Sequence, residues 1–504
     1  MKYRTILINI LIILGLMLIV SANVFIQQLS NLDEIWIYNF GRCILNGLLP
    51  YKDFSIIITP LFAYISAAFL RIFGNEMIVL RFAEIFQTAF ILFMIYKILE
   101  RIKVNQGISL LFAIGVYYIY SNVFCFDYNW AVLLFSLIIL YMELKEETAL
   151  RQNFKKDLFI GILAGITILL KQTSGIVLSA MIIFYKIIEI RSVKDFKQFF
   201  NIMLSRLLGV LLPILAFAIY LTECGIWTEF IDYAILGIKT FSNTVPYSKL
   251  LQTNDILAYA VPIFLLVIVI VSILTLIIKK SRDEEWSQKL RTLAFFDLTT
   301  AVVIYPISDR MHFAVASICT LLTVLYLVHV WLSYEFNIKS EKIKCGLKIF
   351  FNLCAAIGFV IYLIMSIKAT VQYWKSTENQ KYLNHFQYIE TPQNLYDAIN
   401  DIDSFIKSKE QEGKQVIILD SMAAAINIPI DLYYKNYDMF NLGNFGEKGE
   451  DGIIEDLKYI KNTLMLLKKD IYKNNWQNPS KIINFVRTEY TNVGEILAFE
   501  IYSK

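Results

Sequence analysis

Four short polar stretches interrupt an otherwise apolar chain, and each holds side chains able to do chemistry. The first is Asp33-Glu34, just past an apolar run at Ile6–Ile26. A carboxylate there can accept a proton from a hydroxyl, or simply cap a helix in solvent. The second is Asp127, in Phe126-Asp127-Tyr128-Asn129. It can act as a second acid or as the N-cap of the helix that begins beside it. The third is Leu170-Lys171-Gln172-Thr173, where the lysine follows an apolar run of about 13 residues. A lysine at mid-membrane costs roughly 2.5–3.5 kcal/mol, so it needs a partner or a task, or it snorkels to the interface. The fourth is Tyr305-Pro306-Ile307-Ser308-Asp309-Arg310-Met311-His312-Phe313. The Arg310 guanidinium is a planar fork suited to bidentate phosphate binding, while Asp309 suits the backbone donors of a helix entry.

Two further ionisable positions invite structural readings. Arg81 and Glu84 lie three apart on one helix face and can pair. Asp297 falls near the middle of a span with no local cation, so it should meet a polar group from another span. The six cysteines are scattered without a CxxC pair, so neither a zinc site nor a disulfide framework is indicated. Three histidines in the whole chain argue against a histidine-based metal centre.

These residues must be positioned by membrane helices. Of 504 residues 57% are hydrophobic and 18% charged, with a mean hydropathy of +0.55. A soluble chain of this size needs more charge to cover its surface. Apolar runs near twenty residues, the length that crosses about 30 Å of hydrocarbon, recur up to about residue 370. The expected spans are Ile6–Ile26, Ile78–Leu99, Gly107–Phe124, Asn129–Met142, Leu158–Leu170, Gly175–Ile190, Ile202–Leu221, Ile256–Ile278, Leu290–Tyr305, Met311–Trp331 and Leu347–Ile367. The first run follows Lys2 and Arg4, is longer than a signal-peptide core and lacks a small-x-small exit, so it reads as an uncleaved span. Pro60–Phe73, only about 14 residues long, reads as an interfacial or re-entrant helix.

Charge asymmetry orients the spans. If Pro60–Phe73 does not cross, one side collects Lys97/Arg101/Lys103, Arg151/Lys155/Lys156, Arg191/Lys194/Lys197, Lys279/Lys280/Arg282 and Lys339/Lys342/Lys344 together with Lys2 and Arg4. Lys and Arg mark the cytoplasmic side. About eleven spans follow, in the cell (plasma) membrane, with the N-terminus cytoplasmic and the C-terminus extracytoplasmic. Asp33, Asp127, Lys171 and Arg310 then all face outside. The outer loops include 27–75, with an amphipathic piece at Ile35–Leu45, and 222–255. The net charge of +4 is small and suggests no nucleic-acid partner.

After Ile367 the composition turns polar. Residues 371–504 read as a soluble extracytoplasmic α/β domain, against a membrane domain over 1–370. Its expected elements are a helix at Leu395–Ser408, strands at Val416–Leu419 and Thr463–Leu467, a helix at Pro479–Tyr490 and a closing strand at Glu495–Tyr502. Tyr433, Tyr434, Tyr437, Asp438 and Trp476 could bind glycan there, although packing is the simpler role.

In the first outer loop, Asp33-Glu34 precedes Gly47-Leu48-Leu49-Pro50-Tyr51-Lys52-Asp53-Phe54 and Pro60-Leu61. This arrangement resembles the GT-C class of polytopic glycosyltransferases that use polyprenyl-phosphate sugars, in particular bacterial relatives of protein O-mannosyltransferases and aminoarabinose transferases. Asp127 stands where that class has a second acid, and Lys171-Gln172 and Tyr305–His312 are similar to further elements of it. The resemblance implies a mainly α membrane protein with a GT-C type bundle. It implies inverting transfer of a sugar from polyprenyl phosphate to an acceptor protein, lipid or cell-wall glycan, in contact with membrane lipid. Phosphate is a weakly basic leaving group, so it needs cations rather than an acid. Lys171 and Arg310 take that role, with His312, Arg42, Tyr51 and Lys52 as further donor-phosphate contacts. Asp33 takes the part of base for the acceptor hydroxyl, with Glu34 and Asp127 beside it in the catalytic set. A divalent cation (Mg or Mn) bridging Asp33 and Asp127 is compatible with the resemblance. A lipid-linked glycan polymerase or ligase, or a flippase-type transporter, are the alternatives. The first is expected to carry its large loop late in the chain, the second to show repeated halves.

Overall fold

A computed structural model of the chain describes all residues except 1, 30–31, 145–149, 151–152, 191, 241–243, 279–283, 336–340, 378–379, 433–444 and 471–478. It divides into two compact units. One comprises Met1–Val24, Glu84–Phe217 and Val245–Trp374; the other comprises Phe25–Ala83, Ala218–Thr244 and Lys375–Lys504.

The first unit is helical. Among the described residues seven helices are long and apolar enough to cross a membrane: Tyr3–Ile26, Ile78–Arg101, Gln172–Glu189, Val193–Cys224, Ile256–Ile277, Arg310–Ser333 and Cys345–Ser376. In Ile256–Ile277 only 22% of the apolar window is buried, and in Cys345–Ser376 only 11%. Apolar helices exposed to that degree need lipid as their solvent, and a helix is the form that satisfies its own backbone there. The other four expected spans are also helices, but shorter: Gln106–Tyr120, Tyr128–Glu143, Phe154–Leu170 and Glu285–Ala301, of 15, 16, 17 and 17 residues. At 1.5 Å per residue they reach roughly 22–26 Å. Gln106–Tyr120 stops four residues before the expected end because the chain turns at Ser121–Val123, where the Val123 carbonyl accepts from the Trp130 indole. Asp297 is fully buried in Glu285–Ala301.

The second unit contains most of residues 27–75, folded rather than extended. Leu32–Leu45 (α1) carries the expected amphipathic piece, and Leu61–Phe73 (α2) matches the short apolar stretch. At 13 residues α2 spans about 20 Å, too short to cross. The two helices touch at Gly41, where a Cβ would come 3.1 Å from Ser66 Cβ and 3.2 Å from the Ala67 backbone nitrogen. Small residues permit that approach. Past α1, Gly47 adopts φ +79°. Its N–H donates to the Ile44 carbonyl, and the Leu48 N–H reaches back to Cys43. This is a glycine-terminated helix end, which gives the Gly47–Phe54 motif a structural purpose.

The C-terminal part of this unit is a four-stranded sheet of order β1-β2-β4-β3: Gln415–Leu419 (β1), Thr463–Lys468 (β2), Thr491–Ile496 (β3) and Phe499–Ser503 (β4). β1 and β2 are parallel, with Gln415 opposite Thr463; the other pairs are antiparallel. The apolar runs of β1 and β2 are buried, as parallel strands covered by helices require. Their core includes Ile417, Met465, Leu467, Leu457 and Val486. The expected helices appear as Gln393–Gln411 and Ser480–Glu489. The single closing strand expected at Glu495–Tyr502 is instead the β3–β4 hairpin. Leu497 turns the chain at φ +49°, a turn without the Asn-Gly or Asp-Gly signature that would reveal it. Tyr433, Tyr434, Tyr437, Asp438 and Trp476 lie outside the described residues.

Candidate functional site

Asp33, Glu34, Arg42, Tyr51 and Lys52 belong to one unit, and Asp127, Lys171, Arg310 and His312 to the other. Each group has its own geometry.

Asp33 and Glu34 occupy the first turn of α1, where carboxylates suit the positive end of the helix dipole. Adjacent helical residues point about 100° apart, and their environments differ. Asp33 is half-buried, while Glu34 is buried. The Glu34 carboxylate accepts from Arg81 Nε at 2.7 Å and Nη2 at 3.2 Å. Arg81 also donates to the Gln27 carbonyl at 2.5 Å. Glu34 is a bidentate partner of Arg81, a long-range contact invisible to helical spacing.

Arg42 is fully buried. Its guanidinium donates to the carbonyls of Ile428 (3.3 Å) and Leu432 (2.8 Å), to Asp431 Oδ1 (3.2 Å) and to Asn39 Oδ1 (3.4 Å). It thus ties α1 to the 428–432 segment, which His385 also grips through Asp431 at 2.9 Å. Tyr51 is fully buried, donates to the Ile58 carbonyl at 2.8 Å and packs edge-on against Phe230. Burial pushes its phenol well above its usual range. Lys52 is exposed. Asp53 accepts from the Leu49 N–H and closes the turn.

In the other unit, Asp127 is fully buried and caps Tyr128–Glu143 (α3), with Oδ1 accepting from the Asn129 N–H at 2.6 Å. The cap reading is therefore met. The second oxygen, Oδ2, is buried with no hydrogen-bond partner among the described residues. Burial pushes the carboxyl up to about 6, against the pull of the Asn129 N–H and the Lys171 charge. Gln87 donates to the Asp127 carbonyl at 3.0 Å and fixes the loop.

Lys171 sits at a helix break. Phe154–Leu170 (α4) ends and Gln172–Phe184 (α5) begins on either side of it, and its own backbone is extended, φ −153°. Its N–H donates to Thr167, and its carbonyl accepts from the Gly175 N–H. The elbow requires Gly175, since a Cβ there would come 2.3 Å from the Ile168 backbone nitrogen. So presented, Lys171 Nζ donates to Asn129 Oδ1 at 2.6 Å and lies 5.6 Å from the centre of the Tyr128 ring. Asn129 Nδ2 is 3.8 Å from Met311 Sδ. Asp127, Lys171 and the Arg310–His312 turn thus meet around Asn129.

Arg310 is exposed, with no hydrogen bond recorded among the described residues. Asp309 caps its helix by accepting from the His312 N–H at 2.8 Å, and it also holds His312 Nδ1 at 2.8 Å. Burial would raise the Asp309 carboxyl, but its bonds to His312 win and lower it. Sequence reasoning missed Asn129 and Gln87. Neither has a signature, since each matters through residues distant in sequence. Among the described residues no three His, Cys, Asp or Glu side chains gather as metal ligands.

Residues 58–222 match the family model for dolichyl-phosphate-mannose-protein mannosyltransferase. The match includes Asp127 and Lys171 and begins beyond Asp33. A search of curated proteins gives no match. Among solved structures the fold is similar to ArnT from Cupriavidus metallidurans, bound to undecaprenyl phosphate (TM-score 0.55, 10% identity, 100% of this chain and 98% of that one). The apo ArnT gives a TM-score of 0.56 at 10% identity, over 99% and 98%. The archaeal oligosaccharyltransferase AglB from Archaeoglobus fulgidus, in complex with an inhibitory peptide and a dolichol-phosphate, gives 0.50 at 12% identity, over 91% and 69%. The chain is a multi-pass membrane protein of GT-C fold, as the Gly47–Phe54 motif led one to expect.

Proposed function

We propose that this protein is an inverting glycosyltransferase that moves a sugar from a polyprenyl-phosphate donor to an acceptor hydroxyl at the extracytoplasmic face of the membrane. The observation that carries the reading is Lys171. A helix break presents it, and its ammonium donates to Asn129 beside the Asp127 carboxyl, at the turn that Met311 also approaches, which gathers cationic side chains able to meet a phosphate. Asp33 is the base. It takes the proton of the acceptor hydroxyl while that oxygen attacks the anomeric carbon. The bond from that carbon to the phosphate oxygen breaks, and polyprenyl phosphate leaves with the electron pair. A single displacement inverts the centre. Lys171 and Arg310 take up charge on the departing phosphate. Asp127 shapes the field at Lys171. Glu34, held by Arg81, positions α1 rather than reacting, and Arg42 and Tyr51 stiffen the same unit. Residues 371–504 form the extracytoplasmic domain appended to the membrane part, 1–370.

The test uses purified protein in liposomes with a polyprenyl-phosphate sugar, against a soluble nucleotide sugar without lipid. Transfer from the lipid donor alone is expected; transfer from the nucleotide sugar alone overturns the reading. Asp33→Asn keeps shape and removes the base, so turnover should fall about 10²–10⁴-fold with donor binding retained. Lys171→Ala and Arg310→Ala should weaken both donor binding and turnover, because they touch the phosphate in ground and transition states. Near-normal turnover of Asp33→Asn at matched protein levels would make Asp33 a cap and pass the base to Asp127.

A further inference from the structure

A cavity in the helical unit lies away from Asp127 and Lys171. It has a volume of about 490 Å³, within the range of small-ligand sites. It sits where helices end: Ile78–Arg101 closes there, α3 closes at Glu143, and Glu285–Ala301 opens there. Where membrane-crossing helices end, a bilayer presents headgroups rather than acyl chains. Its wall carries five cationic side chains against three carboxylates, an excess of two.

The ion pairs show where that excess lies. Arg291 is buried and matched by Glu189 at 2.8 Å. Glu143 is shared between Lys186 at 3.1 Å and Arg206, behind the wall, at 2.5 Å. Asp157 makes up for Arg206 at 2.9 Å. Glu285 is likewise shared, between Lys103 at 2.8 Å and Lys289 at 2.7 Å. Arg101 meets no carboxylate among the described residues; it donates to the Tyr141 hydroxyl at 2.6 Å and stacks on that ring. Among the described residues Arg101 and one of the two lysines at Glu285 therefore have no carboxylate of their own. On the segment that supplies Tyr185 and Lys186 to the wall, Phe184 and Ile187 are each 54% exposed. A cationic pocket with apolar surface beside it suits a phosphate attached to acyl chains better than a free anion. Basic pockets between spans at the headgroup level commonly bind anionic lipid headgroups.

We infer that this cavity is a binding site for the phosphate headgroup of an anionic membrane lipid, separate from the site of sugar transfer. The test takes the full-length protein, delipidated in a neutral detergent, and titrates three probes. These are short-chain phosphatidic acid, short-chain phosphatidylcholine and inorganic phosphate, with binding read by native mass spectrometry and by thermal shift. Phosphatidic acid should bind and raise the melting temperature; the other two should not. Arg101→Gln and Lys103→Gln should each weaken phosphatidic acid binding about three- to tenfold. Lys97→Gln, a cation outside the cavity wall, should leave it unchanged. Lys103 is 70% exposed, so its variant folds even if Arg101→Gln does not. Equal binding of phosphatidylcholine, equal response to inorganic phosphate, or indifference to Lys103→Gln would each overturn the inference.

Discussion

In Asp127 one carboxylate oxygen caps α3 and the other is buried without a partner. Those two facts separate stability from function. Asn is as good an N-cap as Asp, so Asp127→Asn keeps the helix start and removes only the buried charge. The folded carboxyl titrates near 6, above the roughly 3.9 of an unfolded Asp. A raised value favours the folded state at low pH, and that contribution disappears as pH rises from about 4 to 6. Melting temperatures in detergent should therefore place Asp127→Asn closer to wild type at pH 4.5 than at pH 7.5, where the variant gains. The same gap at both values would mean that the carboxylate titrates like an exposed one. Sugar transfer should nonetheless fall, because Lys171 loses its anionic neighbour. Glu34 gives the opposite pattern. Losing one member of a buried pair costs roughly 3–5 kcal/mol, so Glu34→Gln should take the bidentate carboxylate from Arg81 and lower the melting temperature at neutral pH. Asp33→Asn should barely move it. Type and place of these acids were legible in sequence; their division of labour was not, because it depends on Arg81 and Asn129, brought near only by folding.

Two glycines make the same point for elements. Gly175 allows α4 and α5 to fold tightly around Lys171, since an added Cβ would strike the Ile168 backbone at 2.3 Å. Backbone cannot yield as a flexible side chain can. Gly175→Ala should force the elbow open, cost about 1–3 kcal/mol or more, and displace the Lys171 ammonium from Asn129. Gly115 lies within the Gln106–Tyr120 helix with nothing within 4 Å of its would-be Cβ. Gly115→Ala should raise stability by roughly 0.5–1 kcal/mol. A comparison of melting temperature and donor affinity for the two variants checks both. If Gly175→Ala keeps wild-type donor affinity, the elbow does not present Lys171. Helices were readable from apolar length, and so were β1 and β2 from their unbroken apolar runs. The β3–β4 turn was not, because Leu497-Ala498 looks like strand and adopts its turn only once both strands pair with the sheet.

For the whole molecule, sidedness decides whether the proposed chemistry is possible. Polyprenyl-phosphate sugars are used outside only if Asp33, Asp127, Lys171 and Arg310 face outside, and one parity links them all. It rests on Pro60–Phe73 not crossing. The structure supports this, since α2 has 13 residues and lies against α1 at Gly41. Had it crossed, five Lys- and Arg-rich loops would face outward, against the usual excess of such residues on the cytoplasmic side. The residues of several of those loops, including Arg151, Arg191, Lys279, Lys280, Arg282 and Lys339, lie outside the described part, so the charge argument stands on sequence. Reporter fusions decide it. A reporter that is active only outside should be silent when fused after residue 285 and active at Lys504; a cytoplasmic reporter should give the reverse. A third fusion, in the exposed turn at Lys52, should agree with Lys504, because α2 turns back without crossing. If residues 52 and 285 report the same side, Pro60–Phe73 crosses, and Lys171 and Arg310 would face the cytoplasm. The donor would then have to be one available there, and the role of Lys171 would have to be sought anew.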